Sequence, residues 1–260
     1  MRDGHIHTKY CPHGSDDDFK QYIENAISIG LDEITFTEHM PLPKNFEDPS
    51  PAKNSSMDIL DIEDYIEDLS KLKEEYKGKI KINIGFEVDY IEGYEREIKR
   101  FLDVYGRYID DAIISVHMLK VNDKYYVIDY SGEEFKKIIE ILGGIDNVYT
   151  KYYETVEKAI ISDLGEHKPK RIGHLNLIRK YCKAFPYEYS KNQELGNLVQ
   201  AIKDNDYELD YNISGERKED CGEAYISGYL LELVKKQDIN MILGSDSHCS
   251  KEIFSLKDFI

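Results

Sequence analysis

The sequence predicts an α/β protein in which seven parallel strands, each followed by a helix, wind into a closed or nearly closed barrel. Three observations carry this expectation. Short apolar segments alternate with longer amphipathic ones, the pattern that produces parallel pairing. No Gly/Ser-rich or Pro-rich linker interrupts the 260 residues, so a single domain over 1–260 is expected. Polar, metal-ligating side chains fall where the predicted strands end, as they do when the loops of a parallel barrel converge on one face. Periodicity alone does not separate a barrel from an open doubly wound sheet, and the placement of these residues is what favours closure.

In chain order, a first strand is predicted at Gly4–His7 and a first helix at Asp16–Ile29, with Ser15 as its N-cap and Gly30 as its stop. Glu33–Thr37 reads as the second strand. The helix predicted over Asp58–Tyr76 is drawn by Ile59, Ile62, Ile66, Leu69 and Leu72, which recur with the 3.6-residue period. A third strand, Lys81–Val88, leads to a helix at Tyr94–Tyr105 and a fourth strand at Ala112–Val116. Helices are then predicted at Gly132–Leu142 and Val148–Leu164, before a fifth strand at Arg171–Gly173. A helix at Lys191–Asp204, a strand at Tyr207–Ile213, a helix at Tyr225–Gln237 and a last strand at Met241–Ser245 complete the series.

Charge narrows the partners. With 51 acidic against 34 basic residues the formal charge is -17, which opposes broad contact with nucleic-acid phosphates or anionic membranes. The N-terminus lacks a charged-then-apolar signal pattern, and no run of about 18 apolar residues occurs, so a soluble cytoplasmic protein is expected. Four cysteines (Cys11, Cys182, Cys221 and Cys249) form no C-x-x-C pair, which argues against a zinc knuckle or a disulfide framework. Cys11 and Cys249 adjoin histidine motifs but read as small hydrophobes.

The chemistry starts from His5-Ile-His7 and from Gly244-Ser-Asp-Ser-His248, which places Asp246 and His248 at the same two-residue spacing. Along an extended strand residues i and i+2 share a face, so each pair can grip one metal ion. Other strand ends add His13, Glu38-His39, Glu87, His117 and His174. Singly, His39, His117 and His174 each have an ordinary explanation as a strand-end cap or a satisfied core histidine. Collectively that explanation fails, because seven of the eight histidines gather at strand ends and only His167 lies elsewhere, in a polar loop. Glu87 interrupts the apolar run Ile82 to Val88, where an unpaired carboxylate would cost several kcal/mol of desolvation, roughly, and a cation is the natural compensation. Glu38 and Asp89, each beside a better-placed residue, are read as supporting or exposed groups. One catalytic ion takes three or four protein ligands, so this set suits two or three ions with Glu87 or Asp246 bridging. Zinc, manganese and iron all accept mixed histidine and carboxylate ligation.

The ordered motifs His5-x-His7, Pro12-His13-Gly14, Glu38-His39, Gly85-Phe-Glu87, Ser115-Val-His117, Gly173-His-Leu175 and Asp246-Ser-His248 resemble the polymerase and histidinol phosphatase (PHP) family of metal-dependent phosphoesterases. The opening Asp3-Gly-His-Ile-His-Thr8, Cys11-Pro-His-Gly14 and Ser214-Gly-Glu-Arg-Lys218 resemble its histidinol-phosphatase branch. The resemblance implies a distorted (β/α)7 TIM-like barrel with its active site at the C-terminal strand ends and a trinuclear metal centre. By family pattern the first ion takes His5, His7, Glu87 and Asp246, the second His13, His39 and His248, and the third Glu87, His117 and His174. Amidohydrolases also begin with His-x-His, but usually carry a bridging lysine where this chain has His117.

The implied reaction is hydrolysis of L-histidinol phosphate, a small phosphorylated metabolite of histidine biosynthesis. A metal-bridging hydroxide would attack phosphorus in line, with Asp246 or His248 delivering a proton to the leaving alkoxide. Arg179 and Arg217, the arginines that follow strand ends on the presumed active face, are expected to bind the phosphate. Related phosphoesterases acting on nucleotides, nucleic-acid ends or phosphotyrosine are the competing expectation, and a non-catalytic metal-binding protein is the competitor from another class. Tyr149, Tyr152 and Tyr153 suit helix packing better than a lid.

Overall fold

The computed structural model describes residues 1–259, and Ile260, the last residue of the domain expected over 1–260, lies outside the described residues. In chain order the elements are β1 (Arg2–Ile6), α1 (Phe19–Ser28), β2 (Glu33–His39), α2 (Ile62–Glu75), β3 (Lys81–Asp89), α3 (Glu95–Tyr105) and β4 (Ile113–Ser115). They continue with β5 (Met118–Val121), β6 (Lys124–Val127), α4 (Gly132–Leu142), α5 (Ile145–Ile161), β7 (Arg171–Ile172), α6 (Gln193–Asp204), β8 (Glu208–Asn212), α7 (Gly228–Lys236) and β9 (Met241–Gly244). The seven predicted strands are all present. The antiparallel hairpin β5–β6 was not predicted; it is an insertion between β4 and α4 and pairs only with itself.

The main sheet runs β1-β2-β3-β4-β7-β8-β9 with every pair parallel. It closes at one end. Asp246 N donates to His5 O (2.8 Å) and His7 N to Ser247 O (2.9 Å), which joins the chain after β9 to the end of β1. Buried Asp3 reinforces the seam by accepting from Ser245 N (2.9 Å) and Ser245 Oγ (2.5 Å). The architecture is therefore a nearly closed, distorted barrel rather than an open sheet. Toward the other end the buried Arg171 side chain crosses the interior from β7, donating to Gly4 O of β1 (3.0 Å) and to Asp111 (2.8 Å).

Helices pack their apolar stripes on the outside of the sheet. Tyr22, Ile23 and Ala26 of α1, Tyr65 and Leu69 of α2, and Ile98 and Leu102 of α3 are all fully buried, each large side chain contributing roughly 1.5–3 kcal/mol. Tyr149, Tyr152 and Tyr153 of α5 are buried in the same core, as helix packing requires. The cap of α1 differs from expectation. Asp18, not Ser15, is the N-cap: its carboxylate accepts from Lys20 N (2.8 Å), and Gln21 returns a bond to Asp18 N (2.7 Å) to complete a capping box. Ser15 precedes the helix and meets Tyr22 Oη instead. Among the described residues no helix is long and apolar enough to cross a membrane.

Candidate metal centre

The C-terminal strand ends bring nine predicted ligands to one place. Residues 5 and 7 flank Ile6, so their imidazoles fall on the interior face of the barrel, with Nε2 atoms 3.1 Å apart. Behind them, His5 Nδ1 lies 2.7 Å from Asp210 Oδ2 and His7 Nδ1 lies 3.3 Å from Glu38 Oε1. Each carboxylate orients the Nδ1 proton outward, which leaves both Nε2 lone pairs aimed at the same point. Asp246 Oδ1 lies 3.6 and 3.4 Å from those two nitrogens, and Glu87 Oε2 lies 3.5 and 3.4 Å from them.

Glu87 divides its oxygens. Oε2 faces His5, His7 and His39, while Oε1 faces His174 Nε2 (2.8 Å) and His117 Nε2 (3.6 Å) and accepts from Ser115 Oγ (2.6 Å). His117 and His174 again approach Nε2 to Nε2 at 3.1 Å, and His117 Nδ1 is held by Asp89 at 2.6 Å. Gly173 makes this crowding feasible, because a Cβ there would lie 2.0 Å from Ser115 Oγ. Gly244 does the same beneath His5, where a Cβ would lie 2.0 Å from Asp210 Oδ1.

His13, His39 and His248 gather less tightly. The ring of His13 stands 5.2 Å from that of His39 and 5.0 Å from that of His248, centroid to centroid. His13 Nδ1 is bonded to Asn54 O (3.1 Å) and His248 Nδ1 to Asp246 O (3.2 Å). Cys11 shares a potential ligand cluster with His7, His39 and His248. Burial raises its thiol to about 12, however, which disfavours the thiolate a metal needs.

Cations fit this donor set. Paired, carboxylate-oriented Nε2 atoms repel each other unless positive charge lies between them, and four clusters place ligand atoms within 4.8 Å of one another. Buried His174 Nδ1 has no hydrogen-bond partner, and His39 Nδ1, 3.1 Å from Glu87 Oε2, makes no well-aligned hydrogen bond to it. Protons answer the same demand: burial opposes charge on His5, yet Asp246, Asp210 and Glu87 raise it to about 10. For His117, burial is likewise outweighed by Asp89 and Glu87, again to about 10. By contrast, burial and the neighbouring charge of His7 depress His13, His39 and His248. Two of the candidate ligands adopt the left-handed backbone region, Asp246 at φ +51° and His174 at φ +20°, conformations costing on the order of 1–3 kcal/mol that packing must hold in place.

A cavity of about 360 Å³ opens over the centre and is lined by His13, His39, Glu87, His117, His174, Asp246 and His248. Arg179 and Arg217, expected to contact phosphate, do not line it. Arg179 pairs with Glu223 (2.5 Å), and Arg217 donates to Ser245 O (2.9 Å) and Asp246 O (3.3 Å). The lining cations are their neighbours Lys180 and Lys218. Each arginine ends a 3₁₀ turn, where consecutive side chains diverge by about 120°, so the next residue faces the cavity instead. Asp210 was also missed, although it interrupts a strand much as Glu87 does. His167 is half-buried against Gly106 in a crevice at the N-terminal strand ends, remote from the other seven histidines.

The family profile of the PHP domain matches residues 3–214. The histidinol-phosphatase of Bacillus subtilis is 46% identical over 254 residues, covering 97% of this chain and 95% of that protein. A crystal structure of a candidate histidinol phosphatase from Listeria monocytogenes superposes with a TM-score of 0.92 at 34% identity, covering 97% of each chain. The histidinol phosphate phosphatase of Lactococcus lactis, crystallised with zinc, L-histidinol and phosphate, shares the fold at 22% identity with a TM-score of 0.74, covering 100% of this chain and 92% of that one.

Proposed function

The chain belongs to the PHP-domain family, and from that premise we propose that it is a metal-dependent histidinol-phosphatase, hydrolysing L-histidinol phosphate to L-histidinol and phosphate. The observation that carries the reading is Glu87, whose two oxygens serve two separate histidine groups at the floor of one cavity. In this reading His5, His7, Glu87 and Asp246 hold one ion, His13, His39 and His248 a second, and Glu87, His117 and His174 a third. Zinc, manganese and iron all suit these donors. Bound ions of this kind supply an activated water and neutralise phosphoryl oxygens.

The protein's own side chains orient the substrate and move the proton. Lys180 and Lys218 on the cavity wall attract the phosphate, while Arg179 is engaged with Glu223 and Arg217 with Ser255 and the carbonyls of Ser245 and Asp246. Asp246 or His248, both on the cavity wall, passes a proton to the departing alkoxide. Water provides the oxygen gained by phosphorus, and the product alcohol takes the proton. We place the reaction in a single domain and in the cytoplasm, which accords with four cysteines present as free thiols.

A phosphate-release screen tests this, using full-length protein supplied with manganese or zinc and a panel of phosphorylated metabolites, nucleotides, nucleic-acid ends and phosphotyrosine. L-histidinol phosphate should rank first by kcat/KM. A poor rank would remove the substrate assignment and leave the phosphoesterase assignment standing.

A further inference from the structure

Four carboxylates line the cavity, and three of them serve the histidines. Glu87 and Asp246 face the converging nitrogens, and Asp89 holds His117 Nδ1 at 2.6 Å. Asp129 is the fourth. It follows the β5–β6 hairpin and reaches the wall beside Val127 and Tyr130. Its Oδ2 accepts from Lys180 Nζ at 3.0 Å, whereas among the described residues nothing donates to Oδ1. The side chain is 22% exposed and lines the cavity, so its carboxylate is within reach of a molecule bound there while largely shielded from bulk water.

The inference rests on the substrate reading above. L-Histidinol phosphate carries a dianionic group at one end and, at the other, a protonated amine beside an imidazole. The ions and lysines attract the first and repel the second. A cation entering this cavity therefore needs a carboxylate that is not committed to a histidine, and an aromatic or apolar wall for the ring. We propose that Asp129 is the residue that binds the substrate's ammonium group, through Oδ1, with Lys180 fixing the carboxylate from the other side. Tyr130, Val127, Leu177 and Tyr225, which line the same cavity, supply the wall against which the imidazole rests. Asp129 thereby selects aminoalkyl phosphates over simple alkyl phosphates. The competing role is purely positional, with Asp129 doing no more than hold Lys180 toward the phosphate.

The two roles separate in a comparison of L-histidinol phosphate with its amine-free analogue, 3-(imidazol-4-yl)propyl phosphate, using the manganese-loaded full-length protein. Losing a desolvated charged partner should lower kcat/KM of Asp129→Asn for L-histidinol phosphate about 100-fold, mostly through KM, and for the analogue by less than about tenfold. Lys180→Met should lower both alike. An equal loss on the two substrates in Asp129→Asn overturns the proposal in favour of the positional role. Should Asp129→Asn fail to give a cooperative melt, Asp129→Ser is read by the same ratio. Wild-type protein that hydrolyses other phosphate esters but not L-histidinol phosphate removes the substrate reading and this inference with it. Wild-type protein that prefers L-histidinol phosphate, alongside a variant that keeps the preference, overturns Asp129 alone.

Discussion

The metal centre has two kinds of histidine. Those on or just after the strands, His5, His7 and His117, are buried or nearly so and backed by Asp210, Glu38 and Asp89 at 2.7, 3.3 and 2.6 Å. His13 and His248 sit on loops, more open to solvent, and lean on the neutral carbonyls of Asn54 and Asp246. A carboxylate behind an imidazole raises its basicity and fixes its ring, whereas a carbonyl does only the second. The same contrast appears in protonation, since the first group is pushed above the ordinary histidine range and the second below it. On the proposed ligand assignment, the barrel offers two rigid positions joined through Glu87 and one looser position at the rim. The loose position should be the exchangeable one.

The sharpest way to break this comparison is at its joint. Glu87→Gln should cost about 1,000-fold or more in turnover and release more than one equivalent of metal, because one oxygen faces each rigid group. Retention of full metal content by atomic emission would refute the bridging role. Next in size, His5→Ala or His7→Ala should abolish binding at the first position, with turnover falling about 100-fold even in excess metal. His13→Ala should lose a single equivalent, and added metal should restore a good part of the rate.

Asp210→Asn and Glu38→Gln should weaken metal binding about 10- to 100-fold without removing a ligand, as read by chelator competition. If these substitutions leave metal affinity unchanged, the carboxylates behind His5 and His7 are not what makes the first position rigid. The smallest expected effect is on the wall. Lys218→Met should raise KM and the inhibition constant of inorganic phosphate by about tenfold while leaving metal content intact. A parallel chelator titration of wild-type protein should release one ion well before the other two, and simultaneous release of all three would erase the distinction between rigid and loose positions.

Much of this was legible before folding. The seven strands follow from apolar runs and their spacing, and the ligands follow from histidines gathered at strand ends, which is why His5, His7, Glu87, His117 and His174 meet as expected. Asp210 carries the same signal as Glu87. It interrupts a strand between Leu209 and Tyr211 just as Glu87 interrupts its own, and the same desolvation argument would have placed it inside the barrel. The hairpin β5–β6 was harder to see, because Met118–Val127 lacks a Gly-containing two-residue turn; Asn122 and Asp123 adopt positive φ in its place.

What the sequence determined by itself is the inventory: alternating strands and helices, nine candidate ligands, a surplus of negative charge, and a pattern of motifs that belongs to one family. These are properties of residue type and spacing, which local physics reads without knowing the fold. Tertiary structure alone decided which nitrogen each carboxylate faces, which oxygen of Glu87 serves which group, and that Lys180 and Lys218 rather than Arg179 and Arg217 line the cavity. The reason is geometric. A side chain's direction at the end of a strand or a 3₁₀ turn changes by a large angle with each residue, and the partner it meets comes from a segment up to 242 residues away, as with Ser245 and Asp3. Spacing names the participants, and closure of the barrel determines how they face each other.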